Sequence, residues 1–117
     1  MQPTKRPDWW TDNLEVTDSG VVVYDLRAPL ARFLVEAGSI HSIMCSVPLL
    51  VSNECLNGSA ESVKHRCLKA VDIGAWRMTD EQAQIFAFTL ICLEKKYSVG
   101  IFDKRFIGAL MWHVETV

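Results

Sequence analysis

Thr79–Gly100 reads TDEQAQIFAFTLICLEKKYSVG. Thr79 is followed three residues later by Gln82, the T-x-x-Q spacing of a capping box, in which two otherwise unpaired N–H groups are satisfied reciprocally. Asp80 and Glu81 fall in the first turn and Lys95 and Lys96 in the last, so the charges complement the helix dipole at both ends. Gly100 offers a stop, because glycine enters the left-handed region without steric penalty. The pattern predicts a helix over residues 80–97.

The apolar residues of that helix do not share one face. At 100° per residue, Ala83, Phe86, Leu90, Leu93 and Tyr97 form a stripe at spacings of three and four. Ile85, Phe88 and Cys92 form a second stripe, roughly 145° away. A helix that is apolar on two sides is expected to be covered on two sides. The longer stripe is expected to meet the domain's own core. The shorter one, with the connector residues Trp76 and Met78 that lead into it, is expected to meet another molecule.

Working outward, Ser59 reads as the N-cap of a preceding helix with Val63, Cys67, Ala70 and Val71 on its apolar side, ended by Gly74. Further upstream, Pro29 suits a first helical turn. Leu26, Leu30, Phe33, Leu34 and Ala37 then share a face, and Gly38 is expected to stop the helix. Helical periodicity resumes through Ile40, Ile43, Met44, Val47, Leu50 and Val51, kinked or divided at Pro48. A new helix from Pro48 to about Leu56 fits equally well, and Asn57-Gly58 breaks the chain. Leu14–Val16 and Val21–Asp25 around Thr17-Asp18-Ser19-Gly20 read as a hairpin. Residues 1–13, with Pro3 and Pro7, form an extended arm carrying Trp9-Trp10, which either covers a core edge or packs on a partner. Downstream, Asp103 is placed to cap a last helix with Phe106, Ile107, Leu110, Met111 and Val114 on one face. A strand over Ile107–Val114 is the alternative, since Gly108 weakens a helix interior. The expected architecture is a compact, mainly α bundle of about four to five helices with a small N-terminal β-hairpin, forming a single globular domain over 14–117.

Composition narrows the function classes. The chain has 117 residues, a net charge of −2, a mean hydropathy of +0.14 and 50% hydrophobic residues, which leans towards association with protein. A nucleic-acid binder normally carries a basic stripe. Here the cations gather only at Lys95, Lys96, Lys104 and Arg105, a solvated rim near a helix end. No apolar run reaches membrane-spanning length, and MQPTKRPDWW has no apolar signal core. Cys45, Cys55, Cys67 and Cys92 are scattered without a C-x-x-C pair. Those features fit a reduced cytoplasmic protein that contacts neither membrane nor nucleic acid directly.

Catalytic and metal motifs are weak. His65 and Cys67 are two apart, and on a helix such positions diverge. His41 and Cys45 are four apart and share a helical face, but structural zinc takes four ligands, commonly in close pairs, and no second pair is visible. There is no G-x-S-x-G elbow and no H-E-x-x-H. The six glycines are single punctuation marks, not a phosphate-binding loop. No cofactor, metal or catalytic residue is expected, and the four thiols are expected to be free and apolar in environment. A small Cys/His enzyme or metalloprotein is the alternative, and an immunity or anti-defence binder would present the same sequence features.

What remains is surface chemistry. Trp9, Trp10, Trp76, Met78, Phe88 and Trp112 exceed what the stripes need, and aromatic residues and Met enrich interface centres. The expected interface comprises Trp76, Met78, Ile85, Phe88 and Cys92. In size and in the character of GAWRMTDEQAQIFAF (Gly74–Phe88), the chain resembles the QslA family of quorum-sensing antiactivators. The resemblance implies a homodimer that binds the ligand-binding domain of a LuxR-type transcription regulator such as LasR. Blocking that regulator's dimerisation would prevent it from binding DNA.

Overall fold

The computed structural model describes residues 7–17, 26, 28–52 and 70–116. The strand expected at Val21–Asp25, the Asn57-Gly58 break, most of the helix expected from Ser59, and Cys55, His65 and Cys67 lie outside them. In chain order come β1 (Leu14–Val16), α1 (Ala28–Cys45), β2 (Leu49–Val51), β3 (Ala70–Gly74), α2 (Asp80–Tyr97), β4 (Val99–Asp103), a 3-10 helix (Lys104–Ile107) and β5 (Met111–Thr116). The strands form one sheet of order β1-β2-β3-β5-β4. β1 and β2 are parallel, joined across α1, and the other pairs are antiparallel.

This α/β architecture overturns the four-to-five-helix bundle. The described residues hold two α-helices against a five-stranded mixed sheet. Three stretches account for the difference. First, α1 runs through Gly38 to Cys45, and the chain leaves it at Ser46, held at φ 61°. Pro48 then biases Val47 to extended backbone, so Leu49–Val51 is a strand and not a resumed helix. Second, Ala70–Gly74 is buried at every position. A strand covered on both faces loses its alternation, and a short apolar run is then ambiguous between strand and helix. Third, Asp103 does cap a helical turn, accepting from Arg105 N, but the turn lasts four residues and ends at Gly108 with φ 88°. A left-handed residue there turns the chain back, and β5 follows, overlapping the strand alternative over Ile107–Val114 only from Met111 onward.

One sheet face carries the core. Leu14 and Leu49, then Val16, Val51, Ile73 and Trp112, then Val71, Val114 and Ile101 are registered neighbours across the strands. Leu30, Phe33, Leu34 and Ala37 of α1 and Ala83, Phe86, Leu90 and Leu93 of α2 pack on them in a single cluster. Phe86 joins both helices to the sheet, edge-on to His41 at 5.8 Å and to Trp112 at 5.6 Å. Gly38 is needed where α1 crosses β1: a Cβ there would lie 2.7 Å from Leu14 Cδ2 and 3.0 Å from the Asn13 carbonyl oxygen. Its role is close approach, not helix termination. Trp9 and Trp10, tilted at 48° to each other, pack against the same core. They cover a core edge, as one reading of the arm required. Among the described residues, no helix is long and apolar enough to cross a membrane.

Candidate functional site

Helix α2 is built as its sequence dictates. Thr79 Oγ1 accepts from Gln82 N at 3.1 Å, and Gln82 Oε1 accepts from Thr79 N at 3.0 Å. The C-cap is Ser98 at φ 54°, not Gly100, which lies inside β4. Gln82 Nε2 also donates to the Met44 carbonyl at 3.4 Å, tying the start of α2 to the end of α1. At the other end Glu36 Oε1 of α1 accepts from Lys96 Nζ at 2.6 Å and from Tyr97 Oη at 2.7 Å. These bonds hold the Glu36 carboxyl below its ordinary range and push Lys96 and Tyr97 up. The helix is thus fixed at both ends in a single rotational setting.

That setting turns Ala83, Phe86, Leu90 and Leu93 inward and leaves Tyr97 half-buried. Ile85 and Phe88 stay 52% and 65% exposed, and Cys92 is exposed beside them. Ile91, 56% exposed, widens this outer face towards β4. Between α2 and the sheet lies a small cleft of about 160 Å³ lined by Leu90, Ile91, Glu94, Ile101, Asp103 and Trp112, among others. Two of the lining residues are held by Arg105, whose guanidinium lies 4.7 Å from the centre of the Trp112 ring while donating to both Asp103 oxygens. That pairing keeps the Asp103 carboxyl below its ordinary range. Glu94 Oε2 accepts from Ile101 N at 2.7 Å across the same cleft. Just past it, Phe106 and Ile107 are 89% and 81% exposed.

The five expected interface residues do not gather into one patch. Ile85, Phe88 and Cys92 share the outer side of α2. Met78 is half-buried and packs on the core. Trp76 lies against Gly74, where a Cβ would sit 1.7 Å from its ring, on the side of β3 opposite the inward-facing Ile73. Its connector is strapped by Arg77, which reaches Glu15 at 2.7 Å and the Pro48 carbonyl at 3.3 Å. Trp112, counted among the surplus aromatics, is a core residue at 1% exposure. Ile91, Phe106 and Ile107 were missed. Ile91 follows Phe88 at helical spacing, whereas nothing local distinguishes Phe106 and Ile107 from the apolar face of a helix.

Other chemistry is sparse. His41, not Cys45, is the fully buried member of that pair, and Cys45 is only partly buried. His41 Nδ1 bonds the Val47 carbonyl at 2.9 Å. A carbonyl only accepts, so Nδ1 carries the proton. Burial lowers the His41 pKa against that bond, and burial raises that of Cys45. Cys92 departs from the apolar setting expected for the thiols. On the second sheet face, buried Asp72 bonds His113 Nδ1 at 3.0 Å, with Glu115 3.9 Å from Nε2. Ser52 is buried nearby, its N–H on the Asp72 carbonyl at 2.8 Å. The sheet order places the aspartate strand between serine and histidine, whereas nucleophilic activation needs histidine between them. No group of three or more metal-ligating side chains occurs among the described residues. Of the basic cluster, Lys96 and Arg105 are committed to Glu36 and Asp103. Comparison of the chain with protein-family models, with curated proteins and with solved structures finds no match.

Proposed function

We propose that the chain is a non-enzymatic protein-interaction module that acts by covering an apolar surface of another protein molecule. The observation that carries this reading is the outer face of α2, where Ile85, Phe88 and Ile91 stand more than half exposed on a helix whose opposite face is core. Exposed apolar surface forgoes roughly 25 cal/mol per Å², and contiguous patches of it mark sites of association. Ile85, Phe88 and Cys92 follow the i, i+3, i+7 spacing by which a helix face meets a groove or another helix.

The first partner is a second copy of the chain, since a two-fold dimer is the commonest way to cover such a face. The second is the ligand-binding domain of a LuxR-type regulator in the cytoplasm, a reading supported by the resemblance of Gly74–Phe88 to the QslA family. An inhibitor of this type needs a matching apolar patch and no active site. Regulator bound to it is withdrawn from the dimer that reads DNA, by mass action.

Sedimentation equilibrium at concentrations on the order of tens of micromolar, with and without such a regulator domain, tests both steps. The expected result is a dimer that captures the regulator domain and prevents its dimerisation. A monomer that leaves the regulator domain dimeric would sink the proposal.

A further inference from the structure

Away from the outer face of α2, helix α1 and Tyr97 border an open cleft of about 810 Å³, within the range of roughly 300–1,000 Å³ typical of small-molecule sites. Trp9, Leu26, Ala31 and Val35 supply apolar walls. Two charged residues of α1 also line it, Arg32 and Glu36. Four apart on a helix, Arg and Glu would ordinarily pair. Here Lys96 and Tyr97 reach across from α2 and take Glu36. Arg32 is left with no hydrogen bond or ion pair among the described residues. Among the described residues, the cleft therefore joins apolar walls to one cation without an ion pair, and the one carboxylate lining it is already paired with Lys96.

We propose that this cleft binds an anionic amphiphile, with a carboxylate head on Arg32 and a hydrocarbon or aromatic body against Trp9, Leu26, Ala31 and Val35. Guanidinium is suited to the head because it meets a carboxylate with two parallel N–H donors. A cationic head is disfavoured, since the Glu36 charge is already balanced by Lys96 Nζ at 2.6 Å. The site shares no residue with the outer face of α2, so it stands or falls separately from the interaction reading.

The test is calorimetric titration of the full chain with dodecanoate, dodecanol and dodecyltrimethylammonium, each below its micellar concentration. Dodecanoate should bind saturably at one per chain. Arg32→Ala, at an exposed position, should keep the native circular dichroism spectrum, weaken dodecanoate about tenfold or more, as loss of a charge-assisted pair does, and leave dodecanol unchanged. Val35→Trp should weaken both by filling the cleft, whereas Phe88→Asp should bind dodecanoate like the unmodified chain. No saturable dodecanoate binding, a preference for the ammonium compound, or an Arg32→Ala protein that binds dodecanoate normally would each overturn the proposal.

Discussion

On one side of α2, Phe86 lies edge-on to Trp112 and His41 with none of its surface exposed, while two residues later Phe88 is 65% exposed. The same side chain on the same helix therefore does two different jobs. Phe86 belongs to the cluster that holds both helices to the sheet, and burial of such a ring contributes about 1.5–3 kcal/mol. Phe88 contributes little to that cluster and keeps its apolar area available for another molecule. The difference is set by the capping box at one end of α2 and the Glu36 network at the other, which fix the rotation of the helix about its axis.

The largest effect that would break this contrast is at Leu90. Leu90→Asp places an unpaired charge in the core, at a cost of several kcal/mol or more against a total stability of about 5–15 kcal/mol. The protein should lose its cooperative thermal transition by circular dichroism. Phe88→Asp should keep that transition within about 0.5 kcal/mol, as surface changes usually do, and lose association with a second copy or a regulator domain. A folded Leu90→Asp protein beside an unfolded Phe88→Asp protein would mean that the two faces are the wrong way round.

A smaller effect sharpens the core side through pH. The folded-state pKa of His41 lies below its ordinary 6.5 because burial disfavours the charged ring. The unfolded chain takes up the proton first, so the stability linked to His41 is complete above about pH 6.5. It is lost as pH falls from there through the depressed folded value. His41→Asn, whose amide can still donate to the Val47 carbonyl, should flatten stability over that limb in urea titrations at stepped pH. An unchanged slope would place the linkage elsewhere. The smallest effect is at the cap: Thr79→Ala should cost about 1 kcal/mol, read as a lower urea midpoint with unchanged slope.

Helix α2 was legible because everything that specifies it is local. The cap, the end charges and the inward stripe all lie within the helix and its flanking residues, and the structure bears each of them out except the stop at Gly100. Strand β1 was legible as LEV for the same reason, although its partner β2 lies beyond α1 and no local signal names it. Strands β2, β3 and β5 were harder because their specification is tertiary. Ala70–Gly74 shows no alternation since both of its faces are covered, and Leu49–Val51 is too short to display a period. Phe106 and Ile107 carry the composition of a core and sit outside it, because the four-residue 3-10 turn and Gly108 throw them outward. Of the proposed contact surface, Ile85 and Phe88 could be read from helical phase. The division of Trp76 from them depends on which side of β3 the chain emerges.

The bond from Ile101 N–H to Glu94 Oε2 has a consequence for how anything can approach β4. In an antiparallel pair, alternate residues point their amides away from the neighbouring strand, and β4 is the last of the described strands in the sheet. An outermost strand with free amides invites a further strand from another chain, the route to runaway stacking. At Ile101 that invitation is withdrawn, because a carboxylate from α2 already occupies the donor. A visitor to this side of the molecule finds the middle donor of β4 already taken, so side chains, which differ from protein to protein, carry more of any recognition there.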